Sequence, residues 1–155
     1  MMLDKNTVQK LIDDFILENE SIFLVSLKIS TSNQIELLID SFNGIGIKHC
    51  MALSRHIENN LDREVCDYSL TVSSAGLGEP FKVFKQYQKY IGKNINIFLK
   101  EGKELIGKMI DAEEGKGIIL ETTRQEKIGK KKTKIIEQQS FEFDQIDKTK
   151  IVISF

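Results

Sequence analysis

Five lysines fall within eight residues in the stretch QEKIGKKKTK: Lys127, Lys130, Lys131, Lys132 and Lys134. Clustered ammonium groups beside a glycine are suited to meeting phosphate backbones, where each contact releases counterions. No aromatic side chain is interleaved, so base stacking is not indicated, and such a group reads charge and shape more than sequence. The opposing reading is a solvated loop that protects a hairpin edge from aggregation. The lysines are the strongest chemical signal in the chain, and they point to RNA or an RNA–protein particle.

The other reactive side chains do not assemble. Ser73 and Ser74 lack the glycines of a nucleophile elbow. His49 and His56, the only histidines, stand seven apart with no carboxylate spaced to orient either. Gly44-Ile45-Gly46 and Gly76-Leu77-Gly78 each resemble part of a phosphate-binding loop, but neither completes a fingerprint, and Pro80 removes one N–H from the second. Asp13-Asp14 and Glu113-Glu114 read as solvated charge. Cys50 and Cys66 lack the close spacing of a zinc site and are too few for a disulfide framework, so they read as reduced, partly buried thiols. The expectation is a protein that is not an enzyme, with no metal, no cofactor and no small-molecule substrate.

The elements that must position these residues follow from hydrophobic period. Val8, Leu11, Ile12, Phe15 and Ile16 share one helical stripe, which predicts a helix over about residues 5–19 with Asn6 as its N-cap. The period then becomes two. Phe23, Val25, Leu27 and Ile29 alternate, and after STSN so do Ile35, Leu37 and Ile39, which predicts a β-hairpin with one face on a core. A second helix over about 47–61 carries Ile47, Cys50, Met51, Ser54, Ile57 and Leu61, and Tyr68, Leu70 and Val72 make a third strand. This α-β-β-α-β order is that of an α+β sandwich. SSAGLGEPF then ends the first domain, with Gly76 and Gly78 allowing the backbone to turn and Pro80 fixing its exit. KVFKQYQKY is a short helical connector. From Ile95 on, five short strands in about 62 residues predict a small β-barrel. The lysine run joins two of its strands as an exposed tip. The expected division is an N-terminal domain over 1–80, a connector over 81–92 and a barrel over 93–155.

Composition bounds the class. The chain has 155 residues, 41% hydrophobic and 29% charged, as in a soluble globular protein. No apolar run approaches the ~20 residues of a membrane span. The acidic, amphipathic N-terminus does not read as a signal peptide, so the expected location is the cytoplasm. Net charge is −1, but residues 1–90 hold nine Lys/Arg against twelve Asp/Glu, whereas residues 91–155 hold thirteen against eleven. The two halves therefore present different surfaces.

The order of elements, the midpoint stretch DYSLTVSSAGLGEPF and the barrel opening IGKNINIFLKEGKELIGKMIDA together resemble the bacterial ribosome maturation factor RimP family over essentially the whole chain. The pattern is carried by Tyr68, Leu70, Val72, Ser73, Ser74, Gly76, Leu77 and Pro80. Ala75 stands where the family usually has proline, and Gly78-Glu79 where an Asp-Arg pair is common, which removes a positive charge. FEFDQIDKTKIVI resembles the family's last barrel strands. The resemblance implies an α+β domain followed by an SH3-like/Sm-like barrel, without catalytic centre or cofactor. It also implies a protein that binds the immature small ribosomal subunit, meeting rRNA and a ribosomal protein near the decoding region; the expected state is a monomer. An Sm-like RNA regulator and a protein–protein adaptor are the rival readings.

Overall fold

The computed structural model describes residues 3–44, 46–75 and 78–152. Helix α1 spans Lys5–Glu18, strands β1 and β2 span Ile22–Ile29 and Gln34–Ser41, helix α2 spans Ile47–Asn60 and strand β3 spans Ser69–Ser74. After them come helix α3 (Phe84–Lys89) and strands β4 (Asn94–Leu99), β5 (Glu104–Glu113), β6 (Gly117–Ile128), β7 (Lys131–Glu142) and β8 (Ile146–Ile151), with a 3-10 turn at Phe143–Gln145 before β8. The fold is α+β, with one three-stranded and one five-stranded sheet. The chain divides into two compact units, Met1–Gly76 and Leu77–Phe155.

In the first unit β2 is central, antiparallel to β1 and parallel to β3. Val8, Ile12 and Phe15 of α1, Leu53 and Ile57 of α2, and Ile35, Leu37 and Ile39 of β2 form its buried core. The α1 stripe lies as its period predicts, but the helix is capped by Asp4, not Asn6: the Asp4 carboxylate accepts from the Asn6 N–H at 2.9 Å. Two further readings are corrected. The alternation Phe23, Val25, Leu27, Ile29 does not stay on one face, because a β-bulge falls between Leu24 and Ser26. Leu24, Leu27 and Ile29 pack against the helical core instead, and Phe23 and Val25 are buried outside that cluster. One extra residue exchanges the faces of everything beyond it. On α2 the buried face is centred on Leu53 and Ile57, which leaves Ile47 and Met51 in solvent.

The second unit is antiparallel, in the order β7-β6-β5-β4-β8. Ile95, Ile97, Leu99, Met109, Ile118, Leu120 and Ile146 make its core. The stretch expected to connect the domains is part of this body. Phe81, Tyr87 and Tyr90 pack on the same core, the Tyr87 hydroxyl donates to buried Thr149 Oγ1 at 2.8 Å, and the Phe81 N–H donates to the Thr149 carbonyl at 2.8 Å. Gly117 begins β6 where a Cβ would run into the backbone carbonyl of Phe141, so the first pair of this hairpin requires glycine.

Candidate functional site

The lysine run joins β6 and β7 at an exposed hairpin end, but most of it is strand and not loop. β6 and β7 pair without interruption from Gly117↔Glu142 to Ile128↔Lys131, and only Gly129 and Lys130 lie in the turn. Gly129 has φ +65° in the first turn position, which a glycine takes without strain, and a two-residue turn of this kind suits the strand twist. β5 follows β6 only as far as the pair Lys108↔Glu121. Beyond it the hairpin continues as a two-stranded ribbon, seven residues per strand and about 20 Å long at ~3.4 Å per residue. Four of the five lysines therefore sit on strands, and only Lys130 belongs to the tip.

A strand position fixes a face. Residues opposite one another in an antiparallel pair point to the same side, and neighbours along a strand alternate. The face continuous with buried Ile118 and Leu120 carries Arg124, Glu126, Lys131 and Glu137 in the ribbon, two positive and two negative charges. Arg124 and Glu137 form an ion pair at 2.9 Å on it. The other face carries Thr123, Gln125, Lys127, Lys132, Lys134 and Ile136, all exposed. Its charge is three positive and none negative. Lys127 lies directly across from Lys132, and Lys134 lies two residues further along β7. The structure thus gathers Lys127, Lys132 and Lys134 and separates Lys131 from them.

The midpoint motif is placed differently. Ser73 and Ser74 end β3, paired in parallel with Leu38 and Ile39. The Ala75 N–H extends that ladder to the Ile39 carbonyl at 2.9 Å. Gly76 and Leu77 lie outside the described residues. Gly78 does not need to be glycine: its φ is outside the left-handed region and a Cβ there would meet nothing within 4 Å. Pro80 is half-buried, and the chain is tied to β8 immediately after it, at Phe81. Ser73, Ser74 and Ala75 are thus engaged in the β3 ladder.

The histidines are structural too. His49 Nδ1 accepts the Gly46 N–H at 3.1 Å at the start of α2. The His56 ring packs on Phe15 with centroids 5.8 Å apart. Asp13 accepts from the Gln9 side chain at 2.9 Å, and Glu113 pairs with Lys116 at 3.2 Å in solvent. Cys50 and Cys66 are half-buried, and burial raises the Cys50 thiol pKa. Among the described residues no three side chains are grouped to hold a metal ion, and no described helix is long and apolar enough to cross a membrane.

Two features escaped sequence reasoning. Asn33 closes the β1–β2 hairpin with a left-handed φ of +59° and is buried. Its Oδ1 accepts the Leu3 N–H at 2.9 Å, and its Nδ2 donates to Cys66 Sγ at 3.2 Å and to the Asp67 carbonyl at 3.3 Å. The asparagine in STSN marks a turn; its partners some 30 residues away on either side leave no local trace. The second is an open groove of about 560 Å³ in the second unit, floored in part by Ile118 and Phe141. Asp111, Glu113, Glu142 and Asp144 line it against the single Lys116. Its sign is opposite to that of the ribbon, and it disfavours phosphate.

The arrangement defines a two-unit α+β protein in which one face of a two-stranded ribbon carries three lysines and no acid. Residues 11–78 match the family model described as the RimP N-terminal domain. The chain is 33% identical to the ribosome maturation factor RimP of Flavobacterium psychrophilum over 99% of its own length and 100% of that protein's. It is 34% identical to that of Christiangramia forsetii over 97% and 99%, and 37% identical to that of Porphyromonas gingivalis over 70% and 71%. The chain belongs to the RimP family.

Proposed function

We propose that the protein is a non-enzymatic ribosome maturation factor that acts in the bacterial cytoplasm on the immature small ribosomal subunit. One observation carries the reading: full-length similarity to a relative named for ribosome maturation. The site supports it, because residues 122–137 hold six Lys/Arg against two Asp/Glu while the rest of the chain holds sixteen against twenty-one, and a basic ribbon on an otherwise acidic chain suits a partner made largely of RNA. The two units divide the work. The first docks on protein or rRNA near the decoding region, and the second adds electrostatic attraction through its ribbon. We further propose that the five-stranded sheet curls into an Sm-like barrel. Its strand order, the 3-10 turn before β8 and a core drawn from β4, β5, β6 and β8 support this.

Sedimentation of tagged full-length protein in lysate gradients tests the function. Co-migration with free small subunits, and absence from complete ribosomes, is the expected result. Migration only at the top of the gradient overturns it. Tight binding to short U-rich RNA without subunit association assigns an RNA regulator instead, and capture by one isolated ribosomal protein alone assigns an adaptor.

A further inference from the structure

We propose that the ribbon engages RNA through one face only, with Lys127, Lys132 and Lys134 set along a phosphate backbone and Lys131 turned away from it. The inference rests on the ribosomal reading above and deepens it from a charged segment to a particular surface. Three observations carry it. First, the two faces of one ribbon differ in charge by three, although they are built from the same two strands. The neutral face carries as many acids as bases, and Arg124 pairs with Glu137 on it. The basic face has no acid to pair with, and its three lysines make no ion pair among the described residues.

Second, Lys127 and Lys132 are register partners. Like charges directly opposite one another weaken a hairpin. This hairpin can least tolerate the loss, because a ribbon beyond the third strand has no core beneath it. A phosphate lying between the two ammonium groups converts that repulsion into attraction. Third, the face is chemically simple. It offers point charges and short polar side chains, Thr123 and Gln125, with one exposed isoleucine, Ile136. It lacks the aromatic anchors and arginines that concentrate binding energy in protein interfaces. It likewise lacks the guanidinium forks that read base edges. An RNA backbone, recognised by charge and shape, fits this inventory better than an acidic protein does.

The test compares two triple variants of the full-length protein that remove equal charge. K127Q/K132Q/K134Q strips the basic face, and R124Q/K130Q/K131Q strips the neutral face and the turn. Binding to a fluorescein-labelled RNA stem-loop is followed between 50 and 200 mM salt, beside binding to poly-L-glutamate and co-sedimentation with small subunits. The basic-face variant should lower the log–log salt slope by about 2 to 3, equivalent to roughly 16- to 64-fold of affinity across that range. The neutral-face variant should change it by less than one unit. K127R/K132R/K134R should keep the slope. Equal losses from both glutamine variants would mean that net charge alone matters and would overturn the proposal. Loss of subunit association with unchanged stem-loop binding would also overturn it, by assigning the face to a protein. So would binding to poly-L-glutamate with the same dependence on these lysines. A wild-type protein that binds the stem-loop through this face but ignores small subunits would leave the face assigned and sink the ribosomal reading alone. Hydrogen exchange of the ribbon amides gives a separate readout. K132Q should slow exchange while weakening RNA binding; faster exchange would show that Lys132 serves the fold.

Discussion

The hairpins β1–β2 and β6–β7 have opposite fates. β1–β2 is absorbed into the first unit. Its second strand is central in the sheet, its residues Ile35, Leu37 and Ile39 are almost fully buried, and its turn is tied to the N-terminal segment and to residues 66–69 through Asn33. β6–β7 is absorbed only at its base, through Ile118, Leu120 and Phe141. Its outer half has neither a third strand nor a core. The same local motif thus becomes a structural member in one place and a projecting arm in the other. The difference lies in what each hairpin offers its surroundings: alternate apolar residues to be covered, or charge that must stay hydrated.

Substitutions can break this contrast or sharpen it. The largest effect belongs to the absorbed hairpin. Leu37→Ala should cost about 3 kcal/mol by transfer and cavity terms together, measured by urea denaturation. A cost below about 1 kcal/mol would mean that β2 is not a core strand. Asn33→Ala should cost about 2 kcal/mol, because it strips the hydrogen bonds of a buried side chain and places a Cβ residue less suited to positive φ. Asn33→Gly should recover the backbone part only. If glycine restored full stability, the side-chain bonds would be immaterial.

The anchor of the second hairpin should respond next. Phe143, just past β7, packs edge-on against the Tyr87 ring with centroids 5.1 Å apart. Tyr87→Phe should cost about 1 kcal/mol, since buried Thr149 loses its partner. Burial raises the Tyr87 pKa above 10.0, and its hydrogen bond to Thr149 opposes that shift. The folded state therefore holds this proton to higher pH than the unfolded chain does. The associated stability is complete below about pH 10 and is lost as pH rises beyond it. Alkaline unfolding should begin at higher pH in the Phe variant, and identical profiles would exclude Tyr87 as a source. The smallest effect belongs to the arm. Ile128→Ser, at a side chain 64% exposed in the wild type, should change stability by no more than about 0.5 kcal/mol. A larger cost would show that the arm packs on something and is not free.

Much of this was legible beforehand. The α1 stripe, the order of elements and the five strands of the second unit follow from period and punctuation. The lysines were identifiable as a group. Their arrangement was not, because QEKIGKKKTK reads as loop by composition, whereas a two-residue turn at Gly129-Lys130 keeps both strands in register to the end. The Leu24/Ser26 bulge was also invisible, since alternation of apolar residues on both sides of it looks unbroken. Leu53 was overlooked on α2 because Ile47 and Met51 offered an equally regular stripe, and periodicity does not say which stripe is covered.

The sequence by itself determined the periods, the turns and the charge inventory, because these depend on residues a few positions apart. Tertiary structure decided which face of each element is buried, which lysines stand together and which asparagine becomes a buried hub. Those outcomes depend on registers and bulges that join segments far apart in the chain. A shift of one residue in any of them sends every side chain beyond it to the other side of the sheet.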